Sequence, residues 1–278
     1  MAWNTRSTAR TLAIVNQILE IDPDNTEALI MKADNTEAPE ARAQLLFKAL
    51  NSLNSPESFN PDDKDLLFTV INQRLAYTFF AMSKLDEAFE FCEKALASDE
   101  DTEDEGAMKS LYYRILLERR EWQKILAETL RDDERSLAWA YARLIAAYMI
   151  APENGRRVCA GMFWDALMLA PDVPFYMLGY FEEPDDDAEP EAHNDFDFAL
   201  MYYDTVSVSD DFYNWFSRGV ILFGLLSGRF DEKEREYMVD ALDSLGGYEE
   251  YEKMSRILIE GDDEAVIEAL AANKCLSE

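Results

Sequence analysis

The sequence predicts an all-α fold made of consecutive helix–turn–helix pairs, and three observations predict it. Apolar residues return at intervals of three and four through most of the chain, the spacing that gathers them on one side of an α-helix. Glycine and proline are scarce, 10 and 9 among 278 residues, and stand at breaks between periodic segments, while Ala, Leu, Glu and Met favour helix over strand. Related apolar patterns then recur at a period of about 34 residues, as expected of stacked units that bury their faces against their neighbours.

The pattern is clearest over residues 75–96, LAYTFFAMSKLDEAFEFCEKAL. Leu75, Ala76 and Phe79 stripe a first helix, and Leu85, Ala88, Phe89, Cys92, Ala95 and Leu96 stripe a second, with a polar turn at Ser83-Lys84. Ala76, Ala88 and Ala95 are small enough to let two helix backbones approach closely. These residue types at this spacing resemble one tetratricopeptide repeat, a helix–turn–helix unit of about 34 residues. The resemblance implies a right-handed α–α superhelix that serves as a binding scaffold.

Taken in order, residues 8–21 predict a helix ended by Pro23, because a proline inside a helix loses a hydrogen bond. The string ILEIDPDNTEAL that follows is what closes one such repeat and opens the next, with Asp24 or Asn25 as cap and Glu27 at the positive helix end. A short helix stops near Ala33. Another runs over 39–53, where Pro39 fits the first turn and Leu45, Leu46, Ala49, Leu50 and Leu53 share a face. Residues 55–63 predict a loop, and 64–82 a helix leading into the clearest pair. An acidic loop follows Leu96. Further pairs are expected at 108–117 with 122–130, and at 135–150 with 156–170. Trp122 and Ile125 stand where Leu85 and Ala88 stand one repeat earlier, and Cys159 stands one repeat after Ile125.

Beyond Asp172 the pattern departs. Residues 172–183 are apolar but broken by Pro174 and Gly179, which predicts an extended or single-turn stretch. Residues 182–195, EEPDDDAEPEAHND, predict a mobile acidic loop. Helices resume at 196–203, 212–226, 232–245, 248–260 and 263–272, with Gly246-Gly247 as one break. The string APDVPFYMLG, the acidic run and FALMYYD together resemble bacterial and animal proteins related to suppressor of tumorigenicity 7, a likeness that implies no known reaction. The expected organisation is a helix–turn–helix array over 1–178, an acidic loop over 179–195 and a helical cap over 196–278 packing on the array.

The formal net charge is −31, from 57 acidic and 26 basic residues. Such a surface repels phosphate backbones and anionic lipids, so neither a nucleic acid nor a membrane is an expected partner. A basic protein or peptide is favoured, although solubility or adaptation to salt produces the same charge. Cys92, Cys159 and Cys275 form no Cys-x-x-Cys pair and are expected as buried thiols, which suits the cytoplasm. No signal-peptide pattern and no membrane-length apolar run is present.

Chemistry is hard to place. The single histidine, His193, falls in the acidic run, where an exposed and inert ring is expected. No Gly-x-Ser-x-Gly elbow, P-loop, Rossmann glycine pattern or His-Glu-x-x-His occurs. Asp185, Asp186, Asp187, Asp195 and Asp197 could gather a hard cation, but they lack the EF-hand glycine and terminal glutamate. A solvated linker is expected there and at 99–105, with no metal and no cofactor. The expectation is therefore a non-enzyme.

The repeat resemblance implies that first helices line a concave groove. Carried onto this sequence, the inward positions are Gln73, Tyr77 and Phe80, then Ser110, Arg114 and Leu117, then Tyr141, Leu144 and Tyr148. Leu117 and Leu144 are expected to bury themselves. Gln73, Tyr77, Phe80, Arg114, Tyr141 and Tyr148 remain as candidates for binding a peptide or helix. The lysines and asparagines of the family's two-carboxylate clamp are missing, and only Arg114 stands there. The rival readings are a structural subunit of an oligomer, or a carboxylate- or metal-dependent enzyme with a site between array and cap.

Overall fold

The computed structural model describes residues 2–53, 61–97, 105–131, 135–151, 156–258 and 262–277. All regular structure among them is helical. The helices are α1 (Ala2–Ile21), α2 (Thr26–Asp34), α3 (Pro39–Leu53), α4 (Pro61–Ala81), α5 (Leu85–Leu96), α6 (Glu105–Glu118), α7 (Trp122–Thr129), α8 (Leu137–Ile150), α9 (Arg156–Leu169), α10 (Val173–Met177), α11 (Pro190–Tyr202), α12 (Asp210–Ser227), α13 (Glu232–Ser244), α14 (Tyr248–Ile257) and α15 (Asp263–Ala272). A 3-10 helix, Tyr203–Val208, joins α11 to α12. No described helix is long and apolar enough to cross a membrane.

Two compact units divide the chain, Met1–Ile115 and Leu116–Glu278. The division falls inside α6.

In the first unit each helix from α1 to α5 packs against the next. Asn25 caps α2 by accepting the Ala28 N–H at 3.0 Å, and Pro39 opens α3. The α4–α5 interface holds Leu75, Ala76, Ala88 and Cys92, all fully buried, so the small residues sit at the close crossing. Thr69, Asn72 and Thr78 are buried polar residues of α4. Each donates to the carbonyl four residues earlier in its own helix, at 3.0, 2.7 and 2.6 Å, which meets the requirement that buried donors be paired.

The turn after α4 has Ser83 at φ 56°, and the Lys84 N–H donates back to the Phe79 carbonyl at 2.9 Å. The turn after α6 repeats this with Arg120 at φ 55° and Glu121 N–H on the Leu116 carbonyl at 3.0 Å. Both are left-handed helix ends closed by a six-to-one hydrogen bond, adopted here by residues other than glycine.

The second unit is organised around α12, whose residues from Trp215 to Leu225 are nearly all buried. It packs against α8, the 3-10 helix, α13, α14 and α15, and α15 also lies on α9. Gly219 and Gly224 let aromatic side chains approach the α12 backbone. A Cβ at Gly224 would stand 2.7 Å from Phe175 Cε1, and one at Gly219 would stand 2.6 Å from Phe163 Cε1. The tail after α15 turns into this core: Leu276 is fully buried, and its carbonyl accepts from Trp215 Nε1 at 3.1 Å.

The acidic segment departs from the expected loop. Helix α11 starts at Pro190, so residues 190–195 are helical and His193 is a half-buried helix residue rather than an exposed loop one. Proline at a first helical position lacks an N–H that would go unpaired anyway, and Glu191 suits the positive end of the helix. Residues 172–183 contain the single short turn α10. Helix α1 begins earlier than residue 8, and α4 begins at Pro61 within the expected loop. Residues 55–60 of that loop, and 99–104 of the second acidic linker, lie outside the described residues.

Candidate functional site

Helix α4 is buried on several sides, and one stripe of it is only partly covered. Leu66, Val70, Gln73, Tyr77 and Phe80 fall at spacings of four, three, four and three, within one narrow arc. Leu66 and Tyr77 are exposed, Val70 and Phe80 are half-buried, and Gln73 is buried. The Tyr77 hydroxyl donates to the Ala107 carbonyl at the start of α6, at 3.2 Å, so the ring is oriented while 36% of the residue stays exposed. Two helices further, on α6, the Arg114 guanidinium stands 5.6 Å from the centre of the Phe80 ring. That is a cation–π distance, and Arg114 is itself buried. Ser110 turns its hydroxyl back onto the Gly106 carbonyl at 2.9 Å. The first unit thus brings Tyr77 and Phe80 of α4 to Ala107 and Arg114 of α6, with Gln73 buried on the same α4 stripe.

Tyr141 and Tyr148 are placed differently from the expected groove. Both are core residues of the second unit. Tyr141 is 1% exposed and lies between Phe198 and Phe216, with ring centres 5.6 and 6.3 Å away. Its hydroxyl has no hydrogen-bond partner among the described residues. Burial, then the charge of Asp195, raises its pKa above the ordinary phenol value. Tyr148 packs on Phe212 and Trp215 at 5.0 and 5.1 Å and donates to Asp211 Oδ2 at 3.0 Å. Its pKa is pushed up to about 12, first by burial and then by that hydrogen bond, against the opposing charge of Arg156. The rings that cover these tyrosines come from α11 and α12, far along the chain. Leu117 and Leu144 are buried, as expected.

Sequence reasoning missed Leu66 and Val70. The signal was present, since both fall within the helix expected over 64–82 and the Tyr77 spacing continues back to them by seven and then four, but the repeat pattern was anchored at Leu75 and its inward positions began at Gln73.

The titratable groups elsewhere do not converge. Asp195 has its pKa raised by burial, then by the charges of Asp172 and Glu191, and Asp172 is engaged by Arg229 at 2.9 Å. Among the described residues no group of three or more His, Cys, Asp or Glu is placed to hold a metal ion. The three thiols are free and buried. Burial pushes Cys92 up to about 12, and Cys159 and Cys275 up to about 11, which leaves little thiolate for nucleophilic chemistry.

No protein-family model, no curated protein and no solved structure matches the chain, so the α4 stripe is judged on its own geometry.

Proposed function

We propose that the chain is a non-enzymatic interaction scaffold of the cytoplasm, holding a peptide or helical segment of a partner protein along α4. The observation that carries this reading is the stripe of Leu66, Val70, Tyr77 and Phe80, ending beside Arg114. From Leu66 to Phe80 it covers about 21 Å of helix at 1.5 Å per residue, enough for two or three side chains of a bound segment. Aromatic rings already oriented by their neighbours supply burial at modest entropy cost.

The net charge of −31 favours a partner segment with basic flanks and disfavours nucleic acid and anionic membrane. Its main effect is on the rate of encounter, which salt slows. No cofactor is needed. In this reading the consecutive helix pairs wind as a right-handed superhelix, as the tetratricopeptide resemblance implies, with the α4 stripe on the concave side.

The test is selection from a displayed random-peptide library on the wild-type protein, followed by binding to the Leu66→Ala/Tyr77→Ala double variant. Enriched segments should carry apolar residues with Lys or Arg beside them and should lose about 1–3 kcal/mol on the double variant. Failure to enrich any segment, or equal binding to both proteins with the fold intact by circular dichroism, overturns the reading.

A further inference from the structure

Helix α9 buries Cys159, Ala160, Phe163, Trp164, Ala166 and Leu167 against the second unit. Its other side is unlike an ordinary solvated face. Val158 is 63% exposed, Met168 46% and Leu169 45%, and the charged residues on that side are Arg157 and Asp165. Neither side chain makes a hydrogen bond or ion pair among the described residues. Between them lies Gly161, also exposed, where a Cβ would meet nothing within 4 Å. A glycine inside a helix costs about 0.5–1 kcal/mol relative to alanine. The chain's own packing supplies no reason for it here, whereas at Gly219 and Gly224 neighbouring rings do.

Arg157, Gly161 and Asp165 stand four apart and form one ridge, with the glycine as a notch at its centre. The ridge is complementary to itself. In an antiparallel pair of these helices about a two-fold axis at Gly161, residues equally far before and after the glycine come level with one another. Arg157 of each copy then stands beside Asp165 of the other, twice over, as an isologous contact demands. The two notches allow the backbones to approach, and Val158 and the half-buried Met162 flank the crossing. The reciprocal opposite charges, not the apolar character alone, indicate what covers this face.

We infer that the exposed face of α9 is a homodimer interface, in which a second copy of this chain packs antiparallel across Gly161 with reciprocal Arg157–Asp165 ion pairs. This goes beyond the scaffold reading and does not depend on it, because α4 and α9 belong to different units.

Sedimentation velocity with the full chain, from about 1 to 100 µM near 0.15 M salt, where the Debye length is about 8 Å, is the test. The wild type should shift with concentration toward twice its 31.9 kDa. Arg157→Asp and Asp165→Arg alone should each weaken dimerisation by about tenfold or more, because each sets like charges together. The double exchange, Arg157→Asp with Asp165→Arg, should restore it. Gly161→Leu should abolish the dimer, while Gly161→Ala should raise the thermal midpoint of the dilute monomer. A wild type that stays monomeric through this range overturns the proposal. So does a dimer indifferent to both single exchanges, or one that both exchanges weaken and the double variant fails to restore.

Discussion

Arg229 and Asp263 close a two-pronged ion pair, Nη1 to Oδ1 at 2.7 Å and Nη2 to Oδ2 at 2.9 Å. The same guanidinium donates from Nε to Asp172 Oδ1 at 2.9 Å and from Nη1 to Ser227 Oγ at 2.8 Å. It also lies over the Phe223 ring at 4.6 Å. Three stretches of the second unit therefore meet on one side chain. Arg229→Ala should cost about 1–2 kcal/mol in urea unfolding, since it removes charge-assisted hydrogen bonds to two carboxylates that solvent partly reaches. Arg229→Lys should recover only part, because an ammonium cannot form the fork. A variant as stable as wild type would show the network to be neutral.

The pair also makes stability depend on pH. Asp263 is held below the ordinary carboxylate value of 3.8 by the Arg229 hydrogen bond, with the guanidinium charge helping and burial opposing. A depressed acid stabilises the fold fully above its unfolded pKa and loses that contribution as pH falls through the folded value. Asp263→Asn should therefore be destabilising at pH 7, with the difference from wild type shrinking below about pH 4.

Asp195 works in the opposite sense. Its pKa is raised by burial and by the charges of Asp172 and Glu191, so its ionised form weighs against the fold. A raised acid gains stability as pH falls through the folded value. Asp195→Asn is expected to raise the melting temperature at pH 7 and to lose that advantage in acid. A lower melting temperature at pH 7 would show that the carboxylate makes a compensating contact.

Two substitutions measure how tightly helices cross. Ala88→Leu adds methylenes at a fully buried position of α5. Gly224→Ala would set a Cβ 2.7 Å from the ring of Phe175, itself fully buried. Each should destabilise by about 1–3 kcal/mol, as overpacking does, read from chemical denaturation. An unchanged midpoint at position 88 would remove the basis for a close α4–α5 crossing.

Local signals were legible and long-range ones were not. Helices α3, α5 and α15 can be read from caps, Pro39 and periodicity to the residue at which they begin and end. The start of α11 cannot, because Pro190 among acidic residues looks like loop punctuation, and the helix is held by a distant contact, Phe198 stacking on Tyr202 and meeting Tyr141. The left-handed Ser83 and Arg120 were equally hidden, since nothing in their side chains announces a positive φ. For the candidate surface, Tyr77, Phe80 and Arg114 do come together. Tyr141 and Tyr148 do not belong with them, because an inward position in a repeat says nothing about which distant helix will cover it.

The buried tail residue Leu276 carries a consequence for biosynthesis. Its carbonyl is bound by Trp215, 61 positions earlier, its side chain is fully buried, and its N–H donates to Glu250 at 3.0 Å. The second unit therefore cannot close its core until nearly all of its roughly 160 residues have left the ribosome, about 8–32 s after Leu116 at 5–20 residues per second. Throughout that interval the rings of Phe163, Phe212, Trp215 and Phe216 lack their final cover. This stretch of the nascent chain, rather than the sequentially packed helices before it, is where a chaperone would be needed.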